Sequence, residues 1–168
     1  MISGSYNIND HLVLVGSQSL RLVASSSPFS LQSTQALGNL SSYTGAASGA
    51  PPTGTVGIWV YMQAGEITGA TLQIGSDSSN YTQVAGVKTY TNAWDAQDGW
   101  NYLVFRLKNG TTTGTPNWAA ASFLKISFTS PVTPTCVVDY LTIGTGDTIA
   151  LNGLGARMTD YTSVMTNY

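Results

Sequence analysis

Charged side chains are scarce in this sequence: six basic and eight acidic residues in 168, for a formal net charge of −2. An ordinary soluble domain has about a quarter of its residues charged. Each shortage removes a class of chemistry. With no basic run, the electrostatic footprint for a nucleic-acid backbone is missing. Glu66 is the only glutamate and lies in the turn-like Ala64-Gly65-Glu66-Ile67, while Asp95 and Asp98 bracket a loop signature ending in Gly99. Neither supplies the pair of facing carboxyl groups that glycoside hydrolysis uses. The single histidine, His11, is not accompanied by a Gly-x-Ser-x-Gly turn, so a serine-hydrolase triad lacks its frame. His11 and Cys136 alone cannot close a zinc site, and no phosphate-binding glycine loop occurs. A protein without catalytic function is expected.

Cys136 is the only cysteine, so no intrachain disulfide can form. Its setting, Thr135-Cys136-Val137-Val138, is that of a small buried hydrophobe, and no basic neighbour in sequence would activate the thiol. A chain without disulfides suits a reducing cytoplasm and secretion alike. No apolar stretch approaches the roughly 20 residues of a membrane helix. The opening Met1-Ile2-Ser3-Gly4-Ser5 has neither a charged nor an apolar leader segment, so no signal peptide is expected. The Asn-x-Ser/Thr triplets at Asn39, Asn80 and Asn109 are what chance gives in a sequence this rich in Asn, Ser and Thr.

What the chain does have is period-two alternation. In residues 55–62, Val56, Ile58, Val60 and Met62 share one face, with Trp59 and Tyr61 on the other. In residues 100–108 the inward set is Leu103, Phe105 and Leu107, and in residues 122–129 it is Leu124, Ile126 and Phe128. Shorter strands are expected at 13–15, 19–24, 70–75, 82–91, 136–143 and 148–151. Pro51-Pro52, Asp98-Gly99, Asn109-Gly110, Pro131 and Pro134 punctuate them as turns. Residues 25–55 read as a long surface excursion or as one irregular edge strand. Many short strands separated by turns describe an all-β antiparallel sandwich. The sandwich is expected over residues 11–151, with an N-terminal arm over 1–10 and a C-terminal arm over 152–168.

Three segments, taken in order, carry a likeness to known folds: Leu72-Gln73-Ile74-Gly75-Ser76-Asp77-Ser78-Ser79-Asn80-Tyr81, Asp98-Gly99-Trp100-Asn101-Tyr102-Leu103-Val104-Phe105 and Val138-Asp139-Tyr140-Leu141-Thr142-Ile143. With Thr113-Gly114-Thr115-Pro116-Asn117-Trp118-Ala119 between the last two, residues 55–145 resemble the jelly-roll sandwiches of the concanavalin A-like and carbohydrate-binding-module type. More narrowly, they resemble β-sandwich domains of structural proteins of tailed bacteriophages. The resemblance implies a jelly-roll strand order. Such folds host adhesion, decoration and sugar binding alike.

Four residues are candidates for a sugar platform: Trp59 and Tyr61 on one strand face, Trp94 in a loop, and Trp100 after the Asp98-Gly99 turn. The alternative for each is packing over the sheet or at a subunit contact. Asp139 shares parity with Val137, Leu141 and Ile143 and is therefore expected to face the core, where a carboxylate must be hydrogen-bonded or paired. It either accepts N–H bonds at the sandwich margin or helps hold a hard cation. Related carbohydrate-binding sandwiches carry structural calcium, so the resemblance makes Asp139 with Asp77 and Asp10 the candidate ligands. No other cofactor is expected. Ser76-Asp77-Ser78-Ser79-Asn80 equally reads as a turn that caps itself.

Two functions follow. The first is a virion structural subunit, a capsid decoration or cement protein or a fibre domain. It would be assembled in the host cytoplasm, homo-oligomeric, and packed on the major capsid protein or other virion proteins. The scarcity of lysine on exposed strand edges, which invites edge pairing, favours such covering. The second is a carbohydrate-binding module, with host-surface glycans as partners. Neither reading involves nucleic acid or a membrane.

Overall fold

The computed structural model describes residues 2–7, 19–33, 35–44, 52–88 and 99–145. Among these, eleven strands occur: β1 (Ile2–Asn7), β2 (Ser19–Ala24), β3 (Phe29–Gln32), β4 (Thr55–Met62), β5 (Gly69–Asp77), β6 (Asn80–Ala85), β7 (Val87–Lys88), β8 (Gly99–Arg106), β9 (Thr111–Thr113), β10 (Phe123–Thr129) and β11 (Thr135–Gly144). The only helical pieces described are single turns at Ser41–Thr44, Leu107–Asn109 and Trp118–Ala120.

The strands form two antiparallel sheets. One has six strands in the order β1-β2-β11-β4-β8-β7, and the other has five in the order β3-β10-β5-β6-β9. The chain changes sheet between β2 and β3, β3 and β4, β4 and β5, β6 and β7, β8 and β9, and β10 and β11. This gives the all-β antiparallel sandwich that the alternation requires. The three segments with the clearest alternation supply the middle of both layers. Val56, Ile58, Val60 and Met62 of β4 and Leu103 and Phe105 of β8 point inward from the larger sheet. They meet Leu72 and Ile74 of β5 and Leu124, Ile126 and Phe128 of β10 from the smaller one. Each fully buried side chain of this size contributes roughly 1.5–3 kcal/mol relative to exposure. At the margin Phe29 stacks on Phe128, with ring centroids 5.2 Å apart.

Residues 2–7, within the span expected as an N-terminal arm, form a strand. They pair with β2 over six consecutive positions and form the outer strand of the larger sheet. The segment expected as one strand over 82–91 divides at Gly86 into β6 and β7, which belong to different sheets. A Cβ at Gly86 would press into the Phe105 ring, so the crossing needs a glycine there. Residues 25–55 hold the edge strand β3 and the turn at Ser41–Thr44. The expected strands at 13–15 and 148–151, and the C-terminal arm over 152–168, lie outside the described residues.

Cys136 is 1 % exposed, in the core beneath β11. Burial, with a smaller contribution from Glu66, pushes its thiol up to about 12. Essentially no thiolate then exists near neutrality, and the thiolate is the reactive form. The native chain is expected to leave a thiol reagent unreacted at pH 8 for as long as it stays folded, and to react at once in denaturant. Rapid labelling of the native protein would show that β11 is not packed as described.

Candidate functional site

The face of the six-stranded sheet turned away from the core is aromatic. Alternation on β4 sends Trp59 and Tyr61 outward, and on β8 it sends Trp100 and Tyr102 the same way. The register of the two strands then sets Tyr61 opposite Trp100 and Trp59 opposite Tyr102. The Tyr61 and Trp100 rings meet edge to face at 5.5 Å and 73°. Trp59 and Tyr102 are tilted at 42° with centroids 5.0 Å apart. Such pairs contribute about 0.5–1.5 kcal/mol each beyond area burial, so the rings hold one another in place. Tyr61 is 36 % exposed and Trp59 and Trp100 are half-buried, whereas Tyr102 is buried.

The floor of this face is built by Gly57, Tyr102 and Thr142. Gly57 precedes Trp59 by two positions on the same side of β4, and a Cβ there would fall inside the Tyr102 hydroxyl. The missing side chain lets the Tyr102 ring lie across β4 and reach Thr142 Oγ1 at 3.2 Å. Burial raises the Tyr102 phenol above its ordinary range, partly offset by the Thr142 bond, so the hydroxyl keeps its proton. Gly57→Ala should displace the ring and break that bond, at a cost of about 1–3 kcal/mol as for other overpacked sites. Denaturant unfolding checks this, and a loss below about 0.5 kcal/mol would mean that the ring does not depend on the gap.

Strand β11 borders the aromatic rows on the other side of β4. Val137 pairs with Tyr61 across β4 and with Arg21 across β2, so Arg21, Val137, Tyr61 and Trp100 form one continuous row. Val137 is 3 % exposed and Arg21 is exposed. One row along, Asp139 stands opposite Trp59.

Asp139 therefore does not face the core, contrary to the parity argument. Between Asp139 and Thr142, β11 advances three residues while β4 advances two, from Trp59 to Gly57. One extra residue forms a β-bulge, and Tyr140 takes a left-handed φ of 48° within it. Before the bulge Cys136 and Val138 point inward; after it Ile143, opposite Val56, packs against the core. Parity carried back from Ile143 thus puts Asp139 on the wrong side. Asp139 Oδ1 accepts from the Tyr140 backbone N–H at 2.7 Å.

The proposed cation ligands are dispersed. Asp77 ends β5 in the smaller sheet and Asp139 lies on β11 in the larger one; Asp10 lies outside the described residues. Asp77 accepts from Ser79 N at 2.8 Å and from Asn80 Nδ2 at 3.0 Å on both carboxylate oxygens. The Asn80 side-chain bonds, then the Ser79 backbone bond, lower its pKa. That is the self-capping turn, extended by Asn80 Oδ1, which accepts from Thr115 N at 2.8 Å. Among the described residues no three His, Cys, Asp or Glu side chains gather in a way that could hold a metal.

Of the four platform candidates, the structure brings Trp59, Tyr61 and Trp100 onto one face; Trp94 lies outside the described residues. The fourth tryptophan, Trp118, is buried in the core. Asn101 is buried and donates from Nδ2 to the Gly99 carbonyl at 3.0 Å. Sequence reading did not single out Tyr102, Arg21 or Thr142. Tyr102 could have been found, since it lies two residues from Trp100 on the same strand. Arg21 and Thr142 come to this face only through β2–β11–β4 pairing, which leaves no local signal.

No protein-family model matches the chain, and no curated protein does. Solved structures do resemble it. One is a family 30 carbohydrate-binding module, at 15% identity and a TM-score of 0.56, covering 90% of this chain and 82% of that one. Another is the family 30 module of a cellulosomal cellulase of Clostridium thermocellum, at 15% identity and a TM-score of 0.55, covering 85% and 83%. A third is a family 11 module from the same organism in complex with a β-1,3-1,4-mixed-linked tetrasaccharide, at 7% identity and a TM-score of 0.50, covering 87% and 83%. At these identities the likeness shows the fold alone: a β-sandwich like that of these modules.

Proposed function

We propose that this chain is a non-catalytic carbohydrate-binding module that grips a glycan on the outer face of its six-stranded sheet. The observation that carries the proposal is the pair of aromatic rows, Tyr61–Trp100 and Trp59–Tyr102, locked side by side on that face. A pyranose offers an apolar C–H surface that stacks on such rings, and hydroxyls that need donors and acceptors around it. Asp139, Thr142 and Arg21 border the rows as acceptor, hydroxyl and donor. Rings held by packing lose little freedom when a ligand arrives, which favours affinity.

Among the described residues, Glu66 and Asp77 are held in local turns. Glu66 Oε2 accepts from Gln63 N at 3.0 Å within its own turn, and Asp77 is held by Asn80 and Ser79. The structural neighbours reported above support sugar binding over a virion subunit packed on its neighbours, a reading that rests on the sequence resemblance. The test is a screen of the 168-residue chain against an array of plant, algal and host glycans. Binding to a polysaccharide class, lost on Tyr61→Ala, is expected; a chain that binds none of them would overturn the proposal.

A further inference from the structure

An apolar cavity of about 350 Å³ lies between the two sheets. Its walls are the aliphatic side chains of Leu20, Ile58 and Val138 from the six-stranded sheet and of Leu31, Leu124 and Ile126 from the five-stranded one. Ile58, Val138, Leu124 and Ile126 are buried, and Leu20 and Leu31 pack half-buried against the same core. Protein interiors hold few voids larger than a water molecule, and an apolar cavity of about 150 Å³ already takes one benzene molecule. This one has more than twice that volume and falls in the range of small-ligand pockets, about 300–1,000 Å³. Its open side is made by the bulge of β11. Tyr140 and Leu141 fall between the paired positions Asp139 and Thr142, and both are exposed and line the cavity. Tyr140 holds its left-handed φ of 48° there, a conformation that is costly in a residue other than glycine and recurs at ligand clamps. Ser19, at the start of β2, and Asp139 add polar groups to the lining, and no Lys, Arg or His belongs to it.

We infer that this cavity is a second binding site, for a neutral aliphatic amphiphile: a straight alkyl chain lodged between the sheets with a hydroxyl head at the bulge. The deep walls are branched aliphatic carbon, with Tyr140 at the open side as the one aromatic residue of the lining. Such walls hold a ligand by shape and by each methylene removed from water. Packed sheets lie about 10 Å apart and are filled by side chains from both layers, so the space left is a slot for a slender chain. The head follows from charge. Asp139 is the one charged residue of the lining, so an anionic head would meet a like charge and no cation. A carboxylate taken out of water without a partner is costly, whereas a hydroxyl needs only a hydrogen-bond partner from Ser19 or the bulge backbone. The site is independent of the glycan face, because Ile58 points inward from β4 where Trp59 and Tyr61 point outward. A second apolar cavity, beyond Leu124 and Leu141, has only about 130 Å³ and is too small for the same chain.

The test uses the full chain labelled with 13C at the isoleucine δ1 methyls and titrated at pH 8 with 1-butanol, 1-hexanol, 1-octanol and octanoate. Ile58 and Ile126 line the cavity, while Ile67 is fully buried and lines neither cavity, so it serves as the control. Saturable shifts of the Ile58 and Ile126 methyls with Ile67 unmoved are expected. Affinity should rise about fourfold for each methylene added from butanol to octanol, and octanol should bind about tenfold or more tightly than octanoate. Leu31→Trp, on the edge strand β3, should fill the slot and abolish the shifts, with a thermal melt to show that the variant is folded; Leu20→Phe, from the facing sheet, blocks the same space should Leu31→Trp fail to fold. Octanol that leaves Ile58 and Ile126 still, or moves Ile67 equally, would overturn the site. Affinity that does not grow with chain length would overturn the alkyl ligand, and octanoate binding as tightly as octanol would overturn the neutral head.

Discussion

Trp59→Ala and Tyr61→Ala together are expected to abolish glycan binding while the chain remains folded. Each ring offers a stacked sugar an apolar surface of some tens of Å², worth on the order of 1–2 kcal/mol at about 25 cal/mol per Å². Loss of both then weakens binding by roughly a hundredfold or more, since 1.4 kcal/mol is a factor of ten. The two residues are neighbours on one face of β4, so their effects should couple. Removing Tyr61 frees Trp100 from its edge contact, and removing Trp59 frees Tyr102. Single variants should therefore each lose more than their own stacking surface, and the double variant less than the product of the two. Titration of all three variants against the same polysaccharide measures this. A double variant that binds as tightly as wild type would place the ligand elsewhere.

The largest effect on stability is expected from Phe105→Ala. Phe105 is fully buried near the C-terminal end of β8, a strand flanked by β4 and β7, and its ring fills the space that Gly86 leaves open. Truncating a buried phenylalanine costs about 3–5 kcal/mol, the lost transfer energy plus the cavity. Domains are stable by only about 5–15 kcal/mol, and for one of this size each kcal/mol moves the midpoint by roughly 2–4 °C. A fall in melting temperature on the order of 10 °C is therefore expected, with the denaturant midpoint shifted in proportion. A loss under about 1 kcal/mol would mean that the two sheets are not packed through this ring. Because β8 also carries Trp100 and Tyr102, glycan binding should weaken only as far as the population of folded chain falls.

The core was legible in the sequence because burial on a strand repeats every two residues and needs no long-range information. Val56, Ile58, Val60 and Met62, Leu103, Phe105 and Leu107, and Leu124, Ile126 and Phe128 could each be read from a single window, and all are buried. The outward position of Trp59 and Tyr61 followed from the same alternation. What local pattern could not give was anything depending on pairing. The bulge between Asp139 and Thr142 inserts one residue and reverses parity, and no residue type in Asp139-Tyr140-Leu141-Thr142 announces it. The β1–β2 pairing hid in a polar segment, Ile2–Asn7, whose composition reads as an arm. The split at Gly86 was written as a glycine inside a strand pattern, a signal with several meanings. The assembly of Arg21, Val137, Tyr61 and Trp100 into one row joins residues from four strands. Only the sheet order makes them neighbours.

The most direct test follows the indole N–H resonances of the tryptophans in a two-dimensional 15N–1H spectrum while a soluble polysaccharide fragment is added. Trp59 and Trp100 stand on the aromatic face and Trp118 is buried in the core, so the chain carries its own control. The account predicts saturable shifts of the Trp59 and Trp100 signals with Trp118 unmoved. Shifts confined to residues of the five-stranded sheet, such as the side-chain amides of Gln73 and Gln83, with Trp59 and Trp100 still, would contradict it.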